Sequence, residues 1–268
     1  MSLFYLLLVA LIQGLTEFLP VSSSGHLILL PYFTGISDQG QAIDVAVHVG
    51  ILGAVIAYFW KDIKVGLLGT PRMLTGKIDT PGSKLAFLLL IATIPVIILG
   101  LFLSVSGLSD ALRSIRVIGW TMLVFGLVLY WFDQKGPTHK TSDDWSMKDA
   151  VILGLWQAVA LIPGTSRSGI TITGARALGY SRADGAKIAM LMSIPTILAS
   201  GILLGAEVAG DANWELMKYA GIGAIFAFVS ALGALTLMMR LLRSASFTPY
   251  VIYRVILGAV LLIISYSA

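Results

Sequence analysis

The sequence predicts an all-α polytopic membrane protein, and three observations lead to this fold class. Hydrophobic residues make up 57% of the 268 residues and charged residues only 12%, whereas a soluble domain is nearer a quarter charged. Mean hydropathy is +0.90. Apolar runs of membrane-spanning length recur along the chain, which favours a helical bundle over a β-barrel. The chain has no Cys, which excludes disulfides and thiol chemistry.

Six apolar segments predict transmembrane helices, because each approaches the ~20 residues that the hydrocarbon core requires. They cover roughly 42–60, 84–104, 114–132, 184–206, 217–240 and 249–267. Two further apolar segments, 3–16 and 149–162, are shorter. About 14 helical residues extend only ~21 Å, less than the ~30 Å of the core. These two segments are therefore too short to cross the membrane.

Each short segment runs into a polar stretch rich in Pro, Gly and Ser, and a second short helix-like segment follows it, at 24–33 and at 168–179. We therefore expect two re-entrant helix–loop–helix hairpins whose loops meet near the middle of the membrane. Irregular backbone is tolerated at that depth only inside protein or beside a water-filled cavity.

Loop charges favour this topology, because re-entry of both hairpins places four basic clusters on one side, which the positive-inside rule assigns to the cytoplasm. The clusters are Lys61, Lys64, Arg72, Lys77 and Lys84; Lys135, Lys140 and Lys148; Arg176, Arg182 and Lys187; and Arg240 and Arg243. The opposite side receives Arg113, Arg116, Lys218, Asp38, Asp110, Glu207, Asp211 and Glu215. The halves then form an inverted-topology repeat within one integral membrane domain, 1–268. Repeat one covers about 1–132, a polar linker about 133–149, and repeat two about 149–268.

The two polar stretches resemble each other and lie 144 residues apart. The first reads Gln13-Gly-Leu-Thr-Glu-Phe-Leu-Pro-Val-Ser-Ser-Ser-Gly-His26, and the second reads Gln157-Ala-Val-Ala-Leu-Ile-Pro-Gly-Thr-Ser-Arg-Ser-Gly169. Ionisable side chains inside a membrane are costly and usually mark a functional site. Two such segments suggest a site at the interface of two structural repeats.

In the first motif, Gln13 and Glu17 are separated by one helical turn and share a face. A carboxylate there can ligate a hard cation or act as a general base; the alternative is a structural carboxylate bonded to the facing hairpin. Ser22, Ser23 and Ser24 can line an oxyanion pocket, and one of them can be a nucleophile activated by Glu17 or His26. His26 itself can serve as base, acid, ligand or phosphoryl acceptor.

The second motif is typical of an anion site, because free N–H groups and the dipole at the start of a helix point towards a ligand. Arg167 adds a planar fork suited to phosphate oxygens, although a purely structural pair with Glu17 is the alternative. The candidate residues around it are Gly164, Thr165, Ser166, Ser168, Gly169 and Thr171. In the last span, Arg254 is either a snorkelling anchor or a second phosphate contact. His48 suggests a helix–helix hydrogen bond.

The groups of the two motifs suit phosphoryl transfer from a phosphate-bearing lipid. They comprise one carboxylate, one His, one Arg, many hydroxyls and two loop–helix junctions. Charge on the transferred group must be met by fixed donors or a divalent cation. A transporter or flippase is the rival class, because inverted repeats with broken helices are transporter anatomy. A non-catalytic lipid-binding protein is the third class. It would not need Glu17, His26 and Arg167 to lie together, an arrangement that costs free energy.

At these motifs the chain resembles the bacterial undecaprenyl-diphosphate phosphatase family, which is tied to bacitracin resistance. The first signature is matched at Gln13, at Glu17 to Ser23, and at Gly25 and His26. The second is matched at Pro163, Gly164, Ser166 to Gly169 and Thr171, and a third likeness runs from Ser246 to Arg254. The resemblance spans essentially the whole chain. The family admits Glu or Gln at the first position, and Gln13 coordinates without charge.

The resemblance implies hydrolysis of undecaprenyl diphosphate to the monophosphate, on the outer side of the bacterial cytoplasmic membrane. It implies a divalent cation, Mg²⁺ or Ca²⁺, as cofactor, with Glu17 and Gln13 as its expected ligands. The functional residues it implies are Glu17, Ser23, His26, Ser166, Arg167 and Thr171. The attacking group stays open between Ser23, His26 and water. The expected partners are the polyprenyl diphosphate and membrane lipid, without nucleic acid; the oligomeric state is open, a homodimer included.

Overall fold

The structure is a computed structural model and describes residues 3–30, 35, 41–108, 112, 114–208 and 214–267. These residues contain no β-strand, and one isolated bridge joins Lys140 to Tyr180. Several charges that the sequence assigns to the outer side lie outside the described residues: Asp38, Asp110, Arg113 and Asp211, together with the side chains of Glu207 and Glu215.

The described residues form eleven α-helices. In chain order they are α1 (Leu3–Phe18), α2 (Ser23–Leu27), α3 (Gln41–Tyr58), α4 (Trp60–Leu74), α5 (Pro81–Ser106), α6 (Ile115–Lys135), α7 (Met147–Ala158), α8 (Arg167–Ala177), α9 (Arg182–Val208), α10 (Trp214–Leu241) and α11 (Thr248–Ser267). Two 3-10 turns, Ser142–Asp144 and Val159–Leu161, precede and follow α7.

Long apolar helices dominate the fold. Helices α5, α6, α9, α10 and α11 have the length and hydropathy of membrane spans. The sixth predicted span corresponds to α3, which continues through a 94° bend into α4. The prediction of a polytopic helical membrane protein with about six spans is therefore confirmed.

The prediction of a loop over 61–84 is wrong for most of that stretch, because α4 occupies residues 60–74. The charges of this segment are interleaved with apolar residues, which allows an amphipathic helix. Glycine lets α4 pack closely on α5: a Cβ on Gly69 would come within 2.1 Å of the Gly82 backbone.

The short motif helices are enclosed by long helices. Helix α1 packs against α10, while α7 packs against α5; α10 also packs along α3, and α11 packs along α6. The largest apolar core joins α1, α3, α6, α10 and α11 around residues such as Phe18, Ile51 and Leu235. Small residues allow the close approach, since a Cβ on Gly50 would lie 2.0 Å from the Ala224 carbonyl oxygen. The two motifs are thereby held inside the bundle.

A buried ionic network ties together the ends of α6, α8 and α9. Arg182 Nε donates to Asp133 Oδ1 at 2.6 Å. Arg176, which the sequence analysis counts among the loop charges, is instead buried. It donates to the carbonyls of Asp133 and Gly136, at 3.2 and 3.0 Å. Arg176 therefore satisfies carbonyl groups at these helix ends instead of contributing a solvated loop charge.

Candidate active site

The first motif ends α1 and begins α2. Pro20 lacks an N–H and cannot continue the helical hydrogen bonds, and α1 accordingly ends at Phe18. Ser22 takes a left-handed backbone conformation, with φ 71°. Helix α2 then starts at Ser23, so Ser23 is held at the first position of a helix directly after a sharp turn.

The second motif repeats this geometry. Pro163 and Gly164 follow the 3-10 turn after α7, Ser166 has φ 69°, and α8 starts at Arg167. Ser22 and Ser166 are the only non-glycine residues with positive φ among the described residues, and they are 144 positions apart. Such a conformation costs on the order of 1–3 kcal/mol and persists where surrounding contacts hold it.

Both motifs converge on Glu17. Ser23 Oγ donates to Glu17 Oε2 at 2.9 Å, and Arg167 Nη2 donates to Glu17 Oε1 at 2.9 Å. The side chains of Arg167 and Glu17 are only 16% and 11% exposed. The first residues of α2 and α8, from opposite halves of the chain, therefore share one buried carboxylate.

Hydrogen bonds of serine side chains join the two loops. Ser24 Oγ accepts from the Gly164 N–H at 3.1 Å, and Ser168 Oγ donates to the Leu19 carbonyl at 3.0 Å. Ser24 and Ser168 occupy equivalent positions of the two motifs. Each hairpin thus satisfies a backbone group of the other, which fixes the distance between Ser23 and Arg167.

The back of the second loop is held by two other helices. Thr121 Oγ1 donates to the Pro163 carbonyl at 2.6 Å. Arg254 Nη2 donates to the carbonyls of Gly164 and Thr165, at 3.2 and 2.9 Å. Arg254 is fully buried, so it is not a snorkelling anchor.

Gln13 connects α1 to α3. Its Nε2 lies 3.2 and 3.4 Å from the two ring nitrogens of His48, and His48 Nδ1 lies 2.7 Å from the Asp44 carbonyl. A carbonyl only accepts, so Nδ1 carries the proton and the ring accepts from Gln13 through its Nε2. The helix–helix hydrogen bond predicted for His48 is present, and Gln13 Oε1 remains buried without a partner among the described residues.

His26 points away from Glu17. Its Nδ1 lies 2.8 Å from the Ser22 carbonyl, and its Nε2 lies 2.6 Å from the Tyr253 hydroxyl. The two rings are stacked, with centroids 5.5 Å apart. Because the carbonyl requires a proton on Nδ1, a neutral His26 accepts from Tyr253 at Nε2. The geometry therefore assigns both ring nitrogens to groups other than Ser23 and Glu17.

A cavity of about 360 Å³ lies between the two loops. Eight of the residues that the sequence assigns to the site line it: Gln13, Glu17, Ser22, Ser23, Ser24, Gly164, Ser166 and Arg167. The others lie outside its wall: His26, Thr165, Ser168, Gly169, Thr171 and Arg254. Thr165 and Thr171 are fully buried, and their hydroxyls have no partner among the described residues.

Two further helices complete the cavity with residues that the sequence analysis did not assign to the site. Asp44 and His48 come from α3, and Thr196 and Ser200 come from α9. In both cases the pair is spaced by four residues inside an apolar span, which places both on one helix face. This four-residue spacing of polar residues inside an apolar span is the sequence pattern that could have assigned them to the site.

The cavity combines the groups that phosphate chemistry requires. A guanidinium and the first-turn N–H groups of α8 can hold anionic oxygens. A hydroxyl hydrogen-bonded to a carboxylate, as Ser23 is to Glu17, is the arrangement of a nucleophile with its base. The fold and the site together define a polytopic helical membrane protein with a buried polar site between two loop–helix junctions.

The chain belongs to the family of bacitracin resistance protein BacA, whose sequence profile matches residues 6–260. It is 70% identical over 267 residues to an undecaprenyl-diphosphatase of Jannaschia sp. (strain CCS1), with 100% of each chain covered. The undecaprenyl-diphosphatase of Ruegeria pomeroyi is likewise 70% identical over the full length of both chains. That of Aliivibrio salmonicida is 44% identical over 262 residues, with 98% of each chain covered.

Proposed function

We propose that this protein hydrolyses undecaprenyl diphosphate to undecaprenyl phosphate and inorganic phosphate. This reaction returns the lipid carrier to cell-wall synthesis and gives bacitracin resistance. Full-length relatives at up to 70% identity carry the name undecaprenyl-diphosphatase. The observation in this chain that carries the proposal is the meeting of Ser23 and Arg167 on Glu17. It brings a nucleophile, a phosphate-binding cation and a carboxylate into one cavity.

The diphosphate binds between the loops. The Arg167 guanidinium and the N–H groups of Arg167 and Ser168 hold its oxygens, because the first N–H groups of a helix have no helical partner. The N–H groups of Gly169 and Ile170 are already bonded to Ser166. The hydroxyls of Ser22, Ser24 and Ser166 complete the oxyanion site, since these residues line the same space. Gly164 lines it too, but its N–H and carbonyl are bonded to Ser24 and Arg254.

Other residues of the second motif act through the backbone of the loop. Ser168 binds the Leu19 carbonyl, and Arg254 binds the carbonyls of Gly164 and Thr165. Gly169 N donates to Ser166 Oγ at 3.1 Å and so holds the cap of α8. Thr165 and Thr171 are buried behind this wall. These residues preserve the shape that presents Arg167 and Ser166 to the phosphate.

The chemical step begins at Ser23. Its hydroxyl proton passes to Glu17 while Ser23 Oγ forms a bond to the terminal phosphorus. The bond from that phosphorus to the bridging oxygen breaks, and undecaprenyl phosphate leaves with the electron pair. The Ser23–Glu17 distance of 2.9 Å is within reach for this proton transfer. Arg167 meets the charge on the equatorial oxygens.

Water completes the turnover. It attacks the phosphoserine, the bond from phosphorus to Ser23 Oγ breaks, and Ser23 Oγ takes back the proton held by Glu17. Inorganic phosphate departs as H₂PO₄⁻ with the oxygen and both protons of the water. His26 is a positioning residue in this scheme, because it binds the Ser22 carbonyl and thereby holds the turn that precedes Ser23. Tyr253 fixes the ring of His26 through its hydroxyl.

We propose that the cavity holds a divalent cation, Mg²⁺ or Ca²⁺. Gln13 Oε1 is a buried carbonyl oxygen without a partner among the described residues, and Glu17 shares its helix face. No group of three or more Asp, Glu or His side chains suited to a metal occurs in the described part of the chain. Gln13 and Glu17 would hold the ion, with water and phosphate oxygens supplying the remaining ligands, as is usual for Mg²⁺. When bound, the cation neutralises phosphate charge.

The two hairpins re-enter the membrane, and the halves form an inverted-topology repeat, 1–132 and 149–268, joined by the linker. Equal backbone conformations at Ser22 and Ser166 support this proposal. So do the reciprocal bonds of Ser24 and Ser168. The basic loops then lie in the cytoplasm of the bacterium, and the cavity between the loops opens to the extracytoplasmic side of the inner membrane.

Phosphate release from undecaprenyl diphosphate by the detergent-purified protein tests the proposed function. We expect steady release that EDTA abolishes and that excess Mg²⁺ or Ca²⁺ restores. Glu17→Gln should lower the rate by about 10³-fold, because general-base catalysis contributes on the order of 10²–10⁴. Lys218→Gln, remote from the cavity, serves as the control. A rate of phosphate release that is unchanged both by EDTA and by Glu17→Gln would contradict the proposed site.

A transporter or flippase of a polyprenyl phosphate is the second candidate, favoured by the equivalent loops that meet within the bundle. It predicts movement of undecaprenyl phosphate between the leaflets of proteoliposomes. Movement without phosphate release would favour this alternative over hydrolysis, and release without movement would favour the phosphatase alone.

A further inference from the structure

A second cavity, of about 710 Å³, lies among the helix ends on the basic side of the molecule. Its walls come from the start of α4, the start of α5, the 3-10 turn at Ser142–Asp144 and the second turn of α9. None of its lining residues contributes to the cavity at Glu17. It is therefore a separate site, and the proposed hydrolysis does not use it.

Two of the carboxylates in this cavity are neutralised by neighbours. Arg72 binds both oxygens of Asp79, at 2.5 and 2.6 Å, and lowers the pKa of that carboxyl through these hydrogen bonds. Lys187 Nζ lies 2.6 Å from Asp62 Oδ1. A third carboxylate, on Asp143, is exposed to solvent.

Two ammonium groups of the cavity lack such a counterion. Lys61 and Lys84 line the wall, and neither forms a salt bridge with a described residue. Lys84 lies in the first turn of α5, whose N-terminus contributes the positive end of a 26-residue helix. These charges favour an anion at this end of the cavity.

A tryptophan of the same wall has a buried indole N–H that is not used. Trp145 is 3% exposed and lines the cavity, and its Nε1–H has no partner among the described residues. A buried donor without an acceptor costs about 1–3 kcal/mol. An acceptor oxygen on a bound ligand removes that cost.

Most of the remaining wall is apolar, and the neighbouring helix suits a membrane surface. Leu85, Leu88 and Leu191 face the cavity. Helix α4 turns through 94° from α3 and exposes Trp60, Leu67 and Leu68 beside its lysines. A basic amphipathic helix with exposed aromatic and apolar residues lies in the plane of the interface. The cavity beside α4 is then at the level of lipid headgroups.

We propose that this second cavity binds the phosphate-bearing headgroup of an anionic membrane lipid in the cytoplasmic leaflet. Lys61, Lys84 and the N–H of Trp145 receive the phosphate oxygens, and the leucines contact the first methylenes of the acyl chains. A zwitterionic lipid fits less well, because its ammonium group adds positive charge to a cavity whose two unpaired lysines outnumber its one carboxylate without a salt bridge, that of Asp143.

Native mass spectrometry of the detergent-solubilised protein, titrated with phosphatidylglycerol or phosphatidylcholine, tests this site. We expect one tightly retained phosphatidylglycerol that phosphatidylcholine does not replace. The double variant Lys61→Gln/Lys84→Gln should weaken it roughly tenfold or more, because each basic residue near an anionic lipid contributes substantially to binding. Lys135→Gln/Lys148→Gln, on the same side but outside the cavity, should retain it. Trp145→Phe should weaken retention through loss of one donor.

Three results would overturn the proposal. One is equal retention of phosphatidylglycerol by the two double variants. Another is equal affinity of the wild-type protein for phosphatidylcholine. The third is displacement of the lipid by millimolar inorganic phosphate, which would identify a site for free phosphate instead of a headgroup. Phosphate release from undecaprenyl diphosphate by each variant monitors folding independently, because no substituted residue lies at Glu17.

Discussion

At the residue scale, the arrangement around Glu17 separates the alternatives for the attacking group. Ser23 donates directly to this carboxylate, whereas both ring nitrogens of His26 are bonded to Ser22 and Tyr253. The sequence identified Glu17, Ser23 and Arg167 as candidate site residues, because charged and hydroxyl groups are rare in an apolar chain. It left His26 equivalent to Ser23, since the direction of a side chain depends on the turn at Ser22.

Ser23→Ala tests this assignment. We expect turnover to fall by about 10³-fold or more, because loss of a nucleophile removes the covalent route. Ser22→Ala, in the same loop, should cost at most about tenfold, since one neutral hydrogen bond contributes ~1 kcal/mol. Rapid acid quench of the wild-type protein with substrate labelled at the terminal phosphate should trap an acid-stable phosphoserine. A parallel alkaline quench preserves phosphohistidine, which is stable to base and labile to acid, and its detection there would instead assign attack to His26.

At the element scale, two short helices and two turns create the site, and the long helices position them. The sequence predicted the hairpin elements because Pro and Gly mark where helices stop. It did not predict helix α4, since five basic side chains over 61–84 suggested a solvated loop. It also did not assign the residues of α3 and α9 that line the cavity. The packing of segments distant in the sequence decides which polar residues of a span face a cavity.

Gly164 is the tightest point of the second loop. It has φ 87°, and an added Cβ would lie 2.2 Å from Thr121 Oγ1 and 2.6 Å from the Ile118 carbonyl oxygen. Gly164→Ala should lower the stability by about 1–3 kcal/mol through strain and overpacking, with loss of activity. Gly233→Ala is the matched control, because nothing lies within 4 Å of its added Cβ. Thermal unfolding in detergent measures both, and an unchanged Tm for Gly164→Ala would contradict this account of the loop.

At the scale of the whole molecule, the proposed inverted repeat fixes the side of every loop. The fold class follows from composition alone. A chain with so few charged residues cannot cover its surface with polar groups, so its helices must be surrounded by lipid. The pairing of the halves does not follow from composition. It was suggested by the spacing of the two motifs, and the equal φ angles at Ser22 and Ser166 add independent support.

Single cysteines test this topology cleanly, since the chain contains none. We expect Lys77→Cys, Lys135→Cys and Arg243→Cys to resist a membrane-impermeant maleimide in intact cells and to react in inside-out vesicles. Ser106→Cys should show the opposite behaviour. If the second hairpin crossed the membrane, Arg243→Cys would react from outside while Lys77→Cys remained protected.

The central claim is that the two halves build one catalytic site, and a double-mutant cycle on Glu17 and Arg167 tests it most directly. Undecaprenyl diphosphate hydrolysis is measured for Glu17→Gln, Arg167→Gln and the double variant. Residues that act as a unit are strongly non-additive. We therefore predict that each single variant loses about 10³-fold in kcat/KM and that the double variant is scarcely worse than either. Near-normal turnover of Arg167→Gln, or a loss in the double variant equal to the product of the two single losses, would contradict a shared site.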